Sequence, residues 1–490
     1  MIGKLDNNTD FIAGHASFRP CDGATIGLLW RRRTVLTGRG TAQMAIDQVQ
    51  GAPPSSGPLE RDARLVSSDH KVSPNEIAIG VIIGRAAEYF DFFVFAIASV
   101  VVFPKVFFPF AEPLTATLYA FAMFSLAFIA RPIGSVIFTA IDRRHGRGVK
   151  LTAALFLLGF STMAISFLPS YEQIGPWSLY LLGILRFGQG LALGGAWDGL
   201  ASLLALNAPI ERRGFYAALP QLGAPIGFIV ASVLFAFFLL NLSEGDFIDW
   251  GWRYPFFCAF AINVVALFSR LRLVATEEFA NLLERRRLEP SPILPLIRSH
   301  ARELLIGALI PLASFALFHL VTVFPISWIT LFTQRSAGEF LMVQCSGAFI
   351  CAGAVLASGL IADQIGRRRL LILSAGLIAI FAIGSTIAPL LVEENAIGQT
   401  IYVNAGFALL GLSYGQSSGA VTARLEQRYR YTGAALTNDL AWLLGAGFAP
   451  LIVLFLSARY GLACVGLYLL SGAVTTLLVL TLSRSEIRQV

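Results

Sequence analysis

From Glu76 to Ser483 the chain is a succession of apolar stretches separated by short polar segments. A run of about 20 apolar residues is the length that crosses the hydrocarbon core of a bilayer. In lipid each backbone amide must find its partner within its own segment, so such runs are expected as helices. Spans are expected near 77–104, 114–141, 149–169, 177–207, 214–240, 253–275, 304–332, 341–362, 369–392, 398–423, 432–457 and 461–483. Several exceed the minimum length, which implies tilt. Composition agrees: 56% of the 490 residues are apolar and 14% charged, against roughly 45–50% and 25% in soluble domains. A soluble enzyme, a disordered chain and a secreted disulfide scaffold are excluded at this point.

The net charge of +7 does not indicate nucleic acid, because the charges follow the membrane. Of 37 Lys and Arg, about 9 precede the first span and about 21 lie in segments alternating with nearly uncharged ones, the positive-inside pattern. Arg85, Arg131 and Arg186 fall inside spans. An even number of spans and these basic loops place both termini in the cytoplasm. The five cysteines form neither a disulfide framework nor a metal spacing.

The domain organisation follows. Residues 1–75, with Arg31-Arg32-Arg33 and a Pro/Ser-rich stretch, read as a disordered cytoplasmic tail, and Met44 is open as an alternative start. A six-helix bundle is expected over 76–275, a solvated connector over 276–303, a second bundle over 304–484 and a short cytoplasmic tail over 485–490. Gly146-Arg147 after span 2 recurs as Gly366-Arg367 after span 8, and Gly214 at the start of span 5 as Gly433 at span 11, at nearly one offset. That is the mark of a duplicated unit. Transporters built from repeats hold their substrate at mid-membrane between the halves.

The best-defined motif is Gly359-Leu-Ile-Ala-Asp363-Gln-Ile-Gly366-Arg367-Arg368-Arg369. Gly359 lets span 8 approach a neighbour, Asp363 is placed to cap the next helix and face arginines, and Gly366 permits the turn. Span 1 holds Arg85, Glu88 and Asp91 at i, i+3 and i+6. Each ionised group at bilayer centre costs roughly 2.5–3.5 kcal/mol, so it persists when it pairs, takes up a proton or faces water. Arg85 and Glu88 are placed to neutralise each other, leaving Asp91 to gain and lose a proton; a static ion-pair cluster is the alternative. Arg186, with Gln189, can bind a carboxylate bidentately or hold an acid ionised. Arg131 is expected nearer the cytoplasmic end, snorkelling, in a structural role. His319 reads either as a titrating group or as a packing residue, and Asp439, beside Asn438, as a functional intramembrane acid. Pro325 removes a backbone donor from span 7.

These residues, with Gly84-Arg-Ala-Ala-Glu88-Tyr89-Phe-Asp91, Arg131-Pro132-Ile-Gly134, Leu185-Arg186-Phe-Gly188-Gln189-Gly190 and Pro220-Gln221-Leu-Gly223, resemble the major facilitator superfamily. The closer resemblance is to its metabolite:proton symporter branch, which includes transporters of proline and betaine, citrate, 2-oxoglutarate and shikimate. The resemblance covers most of the chain after residue 76. It implies an all-α integral membrane fold of twelve transmembrane helices in two pseudo-symmetric six-helix bundles, in the bacterial inner membrane and functional as a monomer. It also implies a cytoplasmic gate of Asp142, Gly146, Arg147, Gly359, Asp363, Gly366 and Arg367. From the chemistry of the spans together with this resemblance, the proton-coupling candidates are Glu88, Asp91, Arg186 and Asp439, and the substrate-cavity candidates are Arg85, Tyr89, Gln189, Gln221, His319 and Asn438. Two departures stand out. Asp142 lies one place early, with Arg143 in the usual Asp position. Ala196 stands where the branch has Glu, and Asp198, about 200° further round a helix, is no simple replacement.

The sequence therefore reads as a secondary active transporter that moves a small organic acid or zwitterion with protons by alternating access. Its partners are the metabolite, protons and the bilayer, with no cofactor, metal or nucleic acid. The alternatives are a proton-independent facilitator or exporter, and a transporter-derived sensor that binds without transporting. No phosphate-cradling Gly-Lys-Ser/Thr loop is present for direct ATP drive, and the chain is not expected to be an enzyme.

Overall fold

The computed structural model describes residues 74–196, 201, 204, 208–274, 289–388, 391, 395–417 and 429–482. Nearly all of the expected N-terminal tail, Asp198, residues 276–288 of the connector and the 485–490 tail lie outside the described residues. Among the described residues the regular structure is helical. The long helices are α1 (Pro74–Val101), α2 (Pro113–His145), α3 (Arg147–Ser166), α4 (Trp177–Gly195), α5 (Arg213–Asn241), α6 (Arg253–Val274), α7 (Leu312–Phe332), α8 (Ala337–Ile365), α9 (Arg367–Ile387), α10 (Ala396–Tyr414), α11 (Arg430–Tyr460) and α12 (Ala463–Leu482). Among the described residues ten helical spans are long and apolar enough to cross a membrane; α1 and α4 are not among them. Those two carry Arg85, Glu88 and Asp91, and Arg186 and Gln189, in mid-helix.

The packing repeats at an interval of six helices. In the first half α2 packs on α4, α1 on α5 and α3 on α6; in the second, α8 packs on α10, α7 on α11 and α9 on α12. The halves meet along α5 with α8 and α2 with α11. Small residues permit the close approaches, since a Cβ on Gly190 or Gly194 of α4 would strike the α2 backbone at Ala127 or Arg131. The connector departs from expectation. A helix begins at Ile293, is broken at His300 (φ −132°, ψ 26°), and continues to Leu309. Pro290 and Pro292 precede it, where proline is tolerated, and its Ile293, Leu296 and Leu304 bury against Leu436 of α11.

The surface is inverted relative to a soluble protein. Phe156, Phe160, Phe237, Phe268, Ile380 and Ile387 are exposed, whereas Asp91, Arg186, Arg270, His319 and Gln344 are buried. This is a multi-pass arrangement with lipid as the outer solvent.

Candidate functional site

Residues 88, 91 and 95 of α1 lie at helical spacing on one face, and that face turns into the first half rather than toward the second. Glu88 pairs with Arg85 Nη1 at 2.7 Å and with Arg270 Nη2 of α6 at 2.6 Å. Gly84 makes room for Arg270, because a Cβ there would strike the guanidinium. Asp91 accepts from Asn263 Nδ2 of α6 at 2.5 Å and has no ion-pair partner among the described residues. Arg186 donates through Nε and Nη2 to the Phe124 carbonyl, both at 3.2 Å, and through Nη1 to Gln189 Oε1 at 3.0 Å. Its guanidinium lies 3.9 Å from the Phe95 ring centroid and 4.8 Å from that of Phe124. Neutral oxygens and ring faces thus compensate this cation. Gln189 in turn donates to Thr162 Oγ1 at 2.7 Å.

The opposite face of α1 meets the second half through aromatic rings. Phe93 stacks on Phe318 at 5.6 Å and Phe92 on His319 at 5.6 Å, while Phe128 of α2 stacks on Trp442 of α11 at 6.1 Å. Tyr89 hydrogen-bonds hydroxyl to hydroxyl with Tyr414 of α10. His319 is fully buried, and neither ring nitrogen has a hydrogen-bond partner among the described residues. Asn438 is half-buried and Gln221 buried, each with a side-chain atom unpartnered among the described residues.

Arg131 does not snorkel. It is 8% exposed, and its Nε donates to Asp439 Oδ1 of α11 at 2.8 Å. Ser135, one helical turn on, donates to Asp439 Oδ2, and the guanidinium sits 5.6 Å from the Trp442 ring centroid. The bond crosses between the halves, which a terminal anchor would not do.

The two short loops form a matched pair. Gly146 and Gly366 each end one helix and start the next at φ 87°, a conformation that favours glycine. The acids before them act differently. Asp363 accepts from Gly214 N at 2.6 Å and Phe215 N at 3.1 Å, capping the start of α5 in the other half rather than the next helix as expected. Asp142 accepts from Lys150 Nζ at 2.8 Å and from the Tyr431 hydroxyl at 3.4 Å, at the start of α11. Asp142 stands four residues before its glycine and Asp363 three, and one residue rotates the side chain by about 100°. That rotation explains the change of partner, while Arg143 is exposed. Arg147 lies over the Tyr431 ring at 5.2 Å, Arg367 donates to Gln416 at 3.2 Å, and Gln416 donates to the Gly214 carbonyl at 3.0 Å. A Cβ on Gly359 would press on Phe215. This end is closed. At the other end a cavity of about 610 Å³ opens between Val100, Pro113, Leu239, Phe247, Thr330 and Ala337.

The sequence pattern of the Major Facilitator Superfamily matches residues 81–450. The chain belongs to the major facilitator superfamily. Within the superfamily it is 37% identical over 421 residues to the inner membrane metabolite transport protein YhjE of Escherichia coli, covering 85% of this chain and 96% of that one. It is 28% identical over 425 residues to the E. coli shikimate transporter, covering 84% and 94%. The fold matches that of XylE, a proton:xylose symporter, with a TM-score of 0.64 at 16% identity, covering 83% of this chain and 94% of that one. Superfamily members are transporters, not enzymes. Gly415-Gln-Ser417-Ser-Gly419 has the spacing of a serine elbow, but Ser417 Oγ donates to the Tyr414 carbonyl at 2.8 Å at a helix end.

Proposed function

We propose that this major facilitator protein imports a small organic acid or zwitterion together with protons, its two six-helix bundles (76–275 and 304–484) rocking about the aromatic interface. The observation that carries the reading is Asp91. Glu88 has two guanidinium groups to neutralise it, whereas Asp91 has an amide donor and no counter-ion among the described residues. A carboxylate buried without a counter-ion sheds its charge by taking up a proton. Arg186 of α4 packs on the Phe95 ring, one helical turn from Asp91, so a small movement of α4 against α1 changes what the carboxylate experiences. The cations inside the spans favour an anionic or zwitterionic substrate, and the similarity to a shikimate transporter points the same way. By the positive-inside rule the basic end, with Gly146 and Gly366, faces the cytoplasm, as do both termini.

The test uses proteoliposomes and a labelled panel of shikimate, small hydroxy acids and betaine. Uptake of at least one should require an inward proton gradient and collapse with a protonophore. In Asp91→Asn, gradient-driven accumulation should be lost while substrate exchange at equal concentrations persists. Uptake that ignores the gradient would instead indicate a facilitator.

A further inference from the structure

We propose that Arg131 is the anchor for a carboxylate on the transported molecule, and that Asp439 is a built-in competitor occupying that anchor in the present state. The inference rests on the transport reading above and names the substrate group its site accepts. Four guanidinium groups lie deep among the described helices. Arg186 uses Nε, Nη1 and Nη2 on neutral oxygens of its own half. Arg85 and Arg270 share Glu88. Arg131 is different, because it donates to Asp439 through Nε only. Its Nη1 and Nη2 have no hydrogen-bond acceptor among the described residues, and they are not among the sealed-off polar atoms. The outer edge of a planar fork therefore remains available, and that edge matches a carboxylate with two parallel hydrogen bonds.

The surroundings narrow the ligand. The Trp442 ring beside the guanidinium offers a flat apolar wall, and it packs 6.1 Å from Tyr89 and 6.4 Å from Tyr414. The hydroxyls of Tyr89 and Tyr414 meet each other there. A small monocarboxylate with a cyclic or planar body fits these groups: carboxylate on Arg131, body on Trp442, polar substituents toward the tyrosines. The consequence is mechanical. Arg131 is on α2 and Asp439 on α11, helices of opposite halves, so a carboxylate that takes over the guanidinium loosens a tie between them. Binding and release of the bundles are then one event, with Ser135 left to satisfy Asp439.

The experiment uses the purified full chain in detergent, with benzoate as the probe and benzamide as its neutral counterpart, read as the shift in thermal unfolding midpoint. Asp439→Asn removes the competitor, and Asp439→Asn combined with Arg131→Gln removes the anchor while leaving two neutral amides to pair. Benzoate should raise the midpoint of Asp439→Asn at concentrations at least tenfold below those the unmodified protein needs. Benzamide should not do so, and the double variant should not respond. If Asp439→Asn fails to respond, responds no more strongly than the double variant, or is stabilised equally by benzamide, the anchor assignment is overturned. Benzoate binding needs no proton gradient, so that failure is separate from failure of the uptake experiment, and each can occur without the other.

Discussion

Glu88 and Asp91 stand one helical turn apart on α1, yet their partners give them opposite mutational signatures. Glu88 holds two buried guanidinium groups, Arg85 and Arg270. Glu88→Gln leaves two cations without a counter-charge, and breaking a buried pair in this way costs roughly 3–5 kcal/mol. Asp91→Asn breaks no ion pair, and an amide oxygen can still accept from Asn263, so its cost should stay within about 1 kcal/mol. Unfolding followed in micelles should therefore show Glu88→Gln strongly destabilised and Asp91→Asn nearly unchanged; equal losses would mean that Asp91 is structural too. The charged residues of α1 were legible because ionisable groups in an apolar run are conspicuous. Arg270 was not, since an arginine near a span end with Arg272 two residues on reads as a cytoplasmic anchor. Asn263 is not conspicuous in the sequence because a neutral amide carries no charge signal, although an amide in an apolar helix must find a partner. Arg131 has the sequence context of an anchor for the same reason as Arg270, but it pairs across the halves with Asp439.

At the scale of one helix, α7 shows how a break is made and then repaired. Pro325 has no N–H to give the Val321 carbonyl, four residues earlier. Gln344 of α8 supplies the missing donor: its Nε2 reaches the Val321 and Thr322 carbonyls at 2.8 and 2.7 Å. Gln344 is fully buried, so Gln344→Leu strands two carbonyls in an apolar interior at a cost of about 1–3 kcal/mol. In a Pro325→Ala background the helix can supply its own donor, and the same substitution should cost less, giving a coupling of at least about 0.5 kcal/mol in a double-mutant cycle. Additive losses would show that Gln344 acts independently of the break. The sequence exposed the proline but not the glutamine, because helix pairing across a bundle is not written in local spacing. The loops were more readable: the recurrence of Gly146 as Gly366 predicted one turn geometry twice, and both carry it. What the repeat concealed was the one-residue shift of Asp142, which sends that acid to side chains instead of backbone amides.

Across the whole molecule, polar ties between the halves are found at two depths. Midway are Arg131 with Asp439, Tyr89 with Tyr414, and Ser125 with the Gly447 carbonyl; at the basic end are Asp142 with Tyr431 and Asp363 with Gly214 and Phe215. The cavity lies at the far end. If the halves move as rigid bundles about the central ties, loosening the basic end must close the cavity, because interfaces of packed helices switch between arrangements instead of stretching. Two sites report the two ends. Thr330 lines the cavity and is exposed, while Thr432 is buried at the basic end, bonded to Ser291 N at 2.8 Å. Single cysteines at these positions, in a background with the five native cysteines replaced by alanine, can be labelled with a water-soluble maleimide. With the latch formed by Asp142 and Asp363 at the basic end intact, Thr330→Cys should react quickly and Thr432→Cys slowly. Removing both latch acids with Asp142→Ala and Asp363→Ala should speed labelling of Thr432→Cys by about tenfold, the response to roughly 1.4 kcal/mol of lost bonding, and slow labelling of Thr330→Cys. The second half of that result carries the argument. A latch that merely frays would raise one rate and leave the other alone, whereas only bundles that pivot make one end pay for the other.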